Sequence, residues 1–200
     1  MKKKARLSVN IPTIEEVENE KKRLRHRANY RKTLRGTIAV LLVVAAVSVL
    51  VATLWMPVLQ IYGKSMNPTL ENGQIVISVK TNDLKTGEVV AFWQGNKLLV
   101  KRVIAGPGQW VDISADGTVS VDGEELTEDY LDEKSLGHCD IELPHQVEES
   151  HWFLMGDNRE ASVDSRTETI GDISKDQIEG KIVFRIWPLK EAGRINAVIR

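Results

Sequence analysis

Glu88-Val89-Val90-Ala91-Phe92-Trp93, then Gln94-Gly95-Asn96, then Lys97-Leu98-Leu99-Val100-Lys101-Arg102-Val103-Ile104 reads as two strand-type runs around a turn signal. β-branched and aromatic side chains suit a pleated surface, whereas Gly beside Asn marks a reversal. The same grammar continues on both sides. Asn72-Gly73 precedes a run at 74–79, and Ala105-Gly106-Pro107-Gly108 forces a reversal before 110–113. Asp116-Gly117 and Asp122-Gly123 bracket 118–121; runs at 151–155 and 181–187, the last closed by Pro188, complete the set around a polar loop at 156–170. Short strands at this spacing predict a mainly β fold, an antiparallel β-sandwich or open barrel. Residues 124–150 are acidic and poor in apolar side chains, which predicts a surface elaboration of the 109–150 region rather than a separate domain.

Upstream of this β region the pattern changes completely. No charged side chain occurs from Gly36 to Gly63, and Thr37 to Met56 is almost entirely Val, Leu, Ala and Ile. A helix of roughly 20 residues crosses the ~30 Å hydrocarbon layer. The run exceeds the ~7–15 residues of a secretory apolar region and lacks a small-x-small cleavage site before Trp55, Met56 and Pro57, so a retained anchor is expected. Residues 1–35 carry twelve Lys and Arg against four Glu, a local +8 that leaves −9 for the rest of a chain whose total is −1. Eight of those basic residues fall between Lys21 and Arg35 with no acid among them, which orients the N-terminus to the cytoplasm. The expected plan is a cytoplasmic basic segment at 1–35, a transmembrane helix at 36–57 and an extracytoplasmic β-rich domain at 58–200. Residues 1–12 read as disordered, and Thr13 with Glu16 has capping-box spacing for a charged helix starting near Ile14. The basic arm carries no pattern for nucleic acid, and membrane lipid is its expected partner.

Three short stretches stand out chemically. In Tyr62-Gly63-Lys64-Ser65-Met66-Asn67-Pro68-Thr69-Leu70, Gly63 and Pro68 make a rigid, irregular segment that displays a small hydroxyl at the membrane border. On its own Ser65 is an ordinary turn serine. In the 97–104 run, alternation puts Leu99, Lys101 and Val103 on one face and Val100, Arg102 and Ile104 on the other. Two adjacent cations in so apolar a run need an explanation. A lysine with a pKa near 10.4 is only about one part in a thousand neutral at pH 7.4; making it a base at that pH requires about 4 kcal/mol of differential stabilisation, which burial supplies. The third stretch runs from Gly156 to Arg166, where Asp164 and Arg166 are spaced to pair, Asp157 and Asn158 to bond backbone, and Ser162 to position another group. Cys139 lies among His138, His145 and His151, but no Cys-x-x-Cys accompanies it, so no metal site is expected.

Taken together, Gly63 to Leu70, Lys101 to Gly108, and Gly156 to Arg166 closely resemble the signature boxes of type I signal peptidases, in the short single-span form common in Gram-positive bacteria. These are membrane-anchored Ser-Lys endopeptidases that remove signal peptides from exported preproteins. The resemblance covers about residues 58–188 together with the anchor. It implies Ser65 as nucleophile, Lys101 as general base, Ser162 as the hydroxyl that orients the lysine, and Asp164 with Arg166 as a structural ion pair. It further implies that Ile61, Met66, Leu70, Leu99 and Val100 line shallow apolar pockets for small residues at −3 and −1, that the Ser65 backbone N–H binds the oxyanion, and that no metal or cofactor takes part. Gly63 stands where some relatives have a Ser that helps hold the oxyanion, and Ala161 where Asn is frequent. The expected partners are signal peptides of exported preproteins, membrane lipid and the export machinery. Three other readings compete: a non-catalytic relative that binds envelope proteins during surface assembly, a Ser-Lys self-cleaving regulator, and a Ser-His-Asp hydrolase using His151. Retention of both Ser and Lys argues against the first, and the anchor in place of a DNA-binding module against the second.

Overall fold

The structure, a computed structural model, describes residues 13–81 and 83–195, so the disorder expected for 1–12 lies outside the described residues. One helix, α1 (Ile14–Trp55), opens the chain. Its start is the expected capping box: the Thr13 N–H donates to Glu16 Oε2 at 2.8 Å, and the Glu16 N–H donates to Thr13 Oγ1 at 3.4 Å. The charged segment and the apolar run form one uninterrupted helix of 42 residues, about 60 Å long. It is the one helix among the described residues that is long and apolar enough to cross a membrane.

The rest is mainly β and antiparallel throughout. Twelve strands follow: β1 (Val58–Gln60), β2 (Ile75–Val79), β3 (Val89–Gln94), β4 (Lys97–Ala105), β5 (Trp110–Ile113), β6 (Val119–Val121), β7 (Glu124–Glu125), β8 (His145–Gln146), β9 (His151–Met155), β10 (Ile173–Ser174), β11 (Ile178–Trp187) and β12 (Gly193–Arg194). The larger sheet runs β1-β2-β11-β3-β4-β9-β10, with β12 on β11, and the smaller one runs β7-β6-β5-β8. The expected hairpin is β3 and β4, in register from Val89 opposite Arg102 to Gln94 opposite Lys97.

Alternation along these strands divides the apolar side chains between separate cores. Val89 and Ala91 of β3 join Ile61, Met66, Leu70, Val76 and Ile182, whereas Val90 and Phe92 join Val103, Trp152, Leu154 and Ile173. Phe153 and Met155 of β9 face a third cluster with Ile104, Val111, Ile113, Val119 and Val121, which joins the smaller sheet to the larger. The central strands are therefore covered on both faces and read as nearly unbroken apolar runs.

The 124–150 segment corrects one expectation. It is more than a surface excursion: Leu126, Leu136, Ile141 and Leu143 pack against the third cluster, and Glu128 is 7% exposed. Its apolar residues are too widely spaced to show a period, yet these four pack against the core of the smaller sheet.

Candidate active site

Ser65 lies on the loop between β1 and β2, and the loop is fixed at both ends. The Ile61 N–H donates to Gln74 O and the Gly73 N–H to Ile61 O, both at 2.8 Å, while Met66 and Leu70 are buried in the core beneath. Gly63 has φ +89°, a left-handed conformation that glycine adopts without a Cβ clash, and its N–H donates to Asn72 Oδ1 at 3.0 Å. A third anchor comes from the segment after β9, whose Asn158 N–H donates to Ser65 O at 3.0 Å. No acceptor for the Ser65 N–H is found among the described residues.

Lys101 projects from the middle of β4, and its Nζ stands 2.7 Å from Ser65 Oγ. It is 4% exposed, and no carboxylate lies within ion-pair distance of it among the described residues. Burial lowers its pKa from the ordinary lysine value; the Asp164 and Asp157 carboxylates oppose the change, and the Arg166 guanidinium adds to it.

The Gly156–Arg166 loop lies under this pair. Arg166 Nε and Nη2 donate to the two oxygens of Asp164 at 2.8 and 2.9 Å, with both side chains fully buried, and the Gly156 N–H also donates to Asp164 Oδ2 at 2.8 Å. Ser162 is 2% exposed and its Oγ has no hydrogen-bond partner, so no hydrogen bond joins it to Lys101 in this structure. Gly156 makes the packing possible: a Cβ there would fall 2.5 Å from Ser65 O and closer still to Ser162 Oγ.

The sequence did not reveal the ion-pair collar behind Ser65 and Lys101. Arg102, the second cation of the pair, donates from Nε and Nη2 to Asp157 at 2.8 and 2.6 Å, from Nη1 to Gly87 O at 2.7 Å, and from Nη2 to Thr69 Oγ1 at 3.1 Å. Its guanidinium carbon lies 3.8 Å from the centre of the Tyr130 ring. Asp157 therefore serves this guanidinium instead of bonding backbone as expected. Arg159 pairs with buried Glu128 and reaches Gly156 O at 3.3 Å and Tyr130 Oη at 3.3 Å. The available signal was Arg102 itself, since a guanidinium inside an apolar strand demands a carboxylate from elsewhere in the chain.

Beside Ser65, a pocket of about 90 Å³ is lined by Gln60, Ile61, Tyr62, Gly63, Met66, Leu98, Leu99 and Val100 along with the Ser65–Lys101 pair. Leu70, expected in this wall, is absent from the lining; it is fully buried in the core cluster that holds Ile61 and Met66. The histidines are engaged elsewhere: His145 with Asp172 at 3.0 Å, His138 with Asp140 at 3.5 Å, and His151 Nδ1 with Glu149 O at 2.9 Å.

Comparison with known proteins gives the family of the chain. The model for signal peptidases, peptidase S26, matches residues 34–187. The chain belongs to the signal peptidase family. Signal peptidase IB of Staphylococcus aureus is 38% identical over 151 residues, covering 66% of this chain and 78% of that protein. Signal peptidase I of Bacillus licheniformis is 33% identical over 177 residues, covering 82% and 94%. A crystal structure of a signal peptidase I from Enterococcus faecalis matches with a TM-score of 0.41 and 26% identity, covering 50% of this chain and 96% of that one. As a type I signal peptidase, the protein acts on preproteins that carry signal peptides, and its apolar N-terminal helix suits a membrane-associated family.

Proposed function

We propose that Ser65 and Lys101 form the catalytic dyad with which this signal peptidase cuts after small residues at −3 and −1. The observation that carries the reading is the 2.7 Å approach of Lys101 Nζ to Ser65 Oγ at a buried lysine without a carboxylate partner. A protonated Lys101 donates to Ser65 Oγ. Once neutral, its amine takes the Ser65 proton as Oγ attacks the scissile carbonyl. The ammonium then returns that proton to the leaving amine, giving an ester on Ser65. Neutral Lys101 next draws a proton from water as the water oxygen attacks the ester carbonyl; the acyl–Oγ bond then breaks, the ammonium returns the proton to Ser65 Oγ, and the signal peptide leaves with a free carboxylate end.

The unpartnered Ser65 N–H is the proposed oxyanion donor. Gly63 offers no side chain for that task, and its own N–H is committed to Asn72. Ser162, buried with a free Oγ, is proposed to take a Lys101 N–H when the amine turns between Ser65 and water, and Asp164–Arg166 to hold that loop. Ile61, Met66, Leu99 and Val100 form the pocket wall, whose 90 Å³ suits an alanine side chain. An extended signal peptide would pair along the strand before Lys101. The charge pattern supports the layout of a cytoplasmic 1–35, a plasma-membrane helix at 36–57 and an extracytoplasmic domain at 58–200, with anionic lipid and the export machinery as further partners.

The test is cleavage of a preprotein carrying an Ala-x-Ala site by the detergent-solubilised chain and by Ser65→Ala, with the cut position read by mass spectrometry. Cleavage after the second Ala by the wild type alone is expected. Equal cleavage by Ser65→Ala would overturn the assignment of the nucleophile.

A further inference from the structure

A second, larger concavity begins at Asn67 on the loop that carries Ser65. A groove of about 750 Å³, within the usual range for ligand sites, is lined by Asn67 and residues 157–160 together with residues 115–116 and 132–137. It shares no lining residue with the 90 Å³ pocket. Its near end is tied to the nucleophile, for Asn67 follows Ser65 by two residues and Asn158 holds Ser65 O. A peptide whose residues before the cut fill the small pocket must leave past Ser65 by another route, and this groove adjoins that exit.

The charge of the lining describes what the groove accepts. Asp157 and Arg159 are buried and neutralised by Arg102 and Glu128. Exposed charge is therefore Asp116, Asp132, Glu133 and Glu160 against Lys134, and Lys134 already pairs with Glu125 at 3.1 Å. Asp116 and Glu160 accept hydrogen bonds from Ser114 and Ser135, while Asp132 and Glu133 have no such partner among the described residues.

We propose that this groove receives the preprotein segment on the mature side of the cut, and that Asp132 and Glu133 make it favour basic over acidic side chains there. The inference rests on the reading of Ser65 as nucleophile.

The experiment uses the full chain in zwitterionic phosphatidylcholine micelles, so that lipid charge does not enter. Peptides identical through the cut site carry three Lys or three Glu at positions +2 to +4. The quantity read is the ratio of kcat/KM for the Lys peptide to that for the Glu peptide within each enzyme, so a general loss of activity cancels. The wild type is expected to give a ratio of about three to ten, shrinking toward one in 0.5 M salt. The Asp132→Lys/Glu133→Lys variant is expected at or below one. A wild-type ratio of one or less, or an unchanged ratio in the variant, overturns the inference while leaving the dyad intact. Fluorescence anisotropy of the same peptides on Ser65→Ala reads the groove without catalysis. If the wild type cleaves nothing, the peptidase reading fails, and the anisotropy ranking still decides the groove: Lys over Glu supports it, and no difference rejects it.

Discussion

Lys101 and Arg102 are neighbours in β4 and almost equally hidden, at 4% and 1% exposure, yet the fold treats their charges in opposite ways. Arg102 receives both oxygens of Asp157, a carbonyl, a hydroxyl and an aromatic face. Lys101 receives one neutral hydroxyl. Burial with a partner retains a charge, and burial without one lowers the pKa of an amine toward its neutral form. The collar also bears on the lysine. Asp157 and Asp164 alone would help Lys101 keep its proton, but each carboxylate is occupied by a guanidinium, and that of Arg166 pushes the lysine further down.

Exchanging the two chemistries gives the largest expected effect. Lys101→Arg places a cation that stays protonated where a neutral amine is needed, and cleavage of a signal-peptide substrate should fall by at least about 10³-fold with an unchanged circular dichroism spectrum. Asp157→Asn breaks the other half of the comparison. It leaves the Arg102 charge buried without its ion partner and should cost about 3–5 kcal/mol, read as a drop of about 10 °C in Tm.

Gly156→Ala pushes a methyl group against Ser162 and the Ser65 carbonyl. A loss of about 1–3 kcal/mol in stability is expected, with a proportionally larger loss in kcat because the displaced carbonyl belongs to Ser65 itself. The smallest effect sharpens the comparison through pH. Because the Lys101 pKa is lower in the folded state than in the unfolded one, the unfolded chain binds the extra proton between the two values, and wild-type stability rises with pH across that window. Lys101→Met removes the linkage. Its Tm should exceed that of the wild type by a few degrees at pH 6, and the advantage should shrink above pH 9.

The long elements were legible because their periodicity is local. β3, β4, β5 and β9 emerge from alternation or apolar runs bounded by Gly, Asn and Pro, and the capping box marks the first residue of α1. β7, β8, β10 and β12 span two residues each, too few for any period to appear; pairing with a neighbour defines them. The same distinction holds at the site. Ser65 and Lys101 are 36 positions apart, and the three motif boxes suggested their meeting, whereas no local pattern did. Arg102 with Asp157 and Arg159 with Glu128 are 55 and 31 positions apart, and Glu128 sat in a stretch whose acidity suggested solvent. An acidic composition describes the majority of such a segment and hides the one carboxylate that turns inward.

The central claim is that burial, unopposed by a partner, gives this signal peptidase a neutral lysine at Ser65. Its most direct test is a pH titration of the Lys101 Nζ resonance by ¹⁵N NMR in the detergent-solubilised chain, assigned by comparison with Lys101→Met. The predicted result is a midpoint well below the ordinary lysine value of about 10.4, coinciding with the rising limb of kcat/KM against pH. A Lys101 that titrates with the exposed lysines while cleavage proceeds at neutral pH would contradict the account.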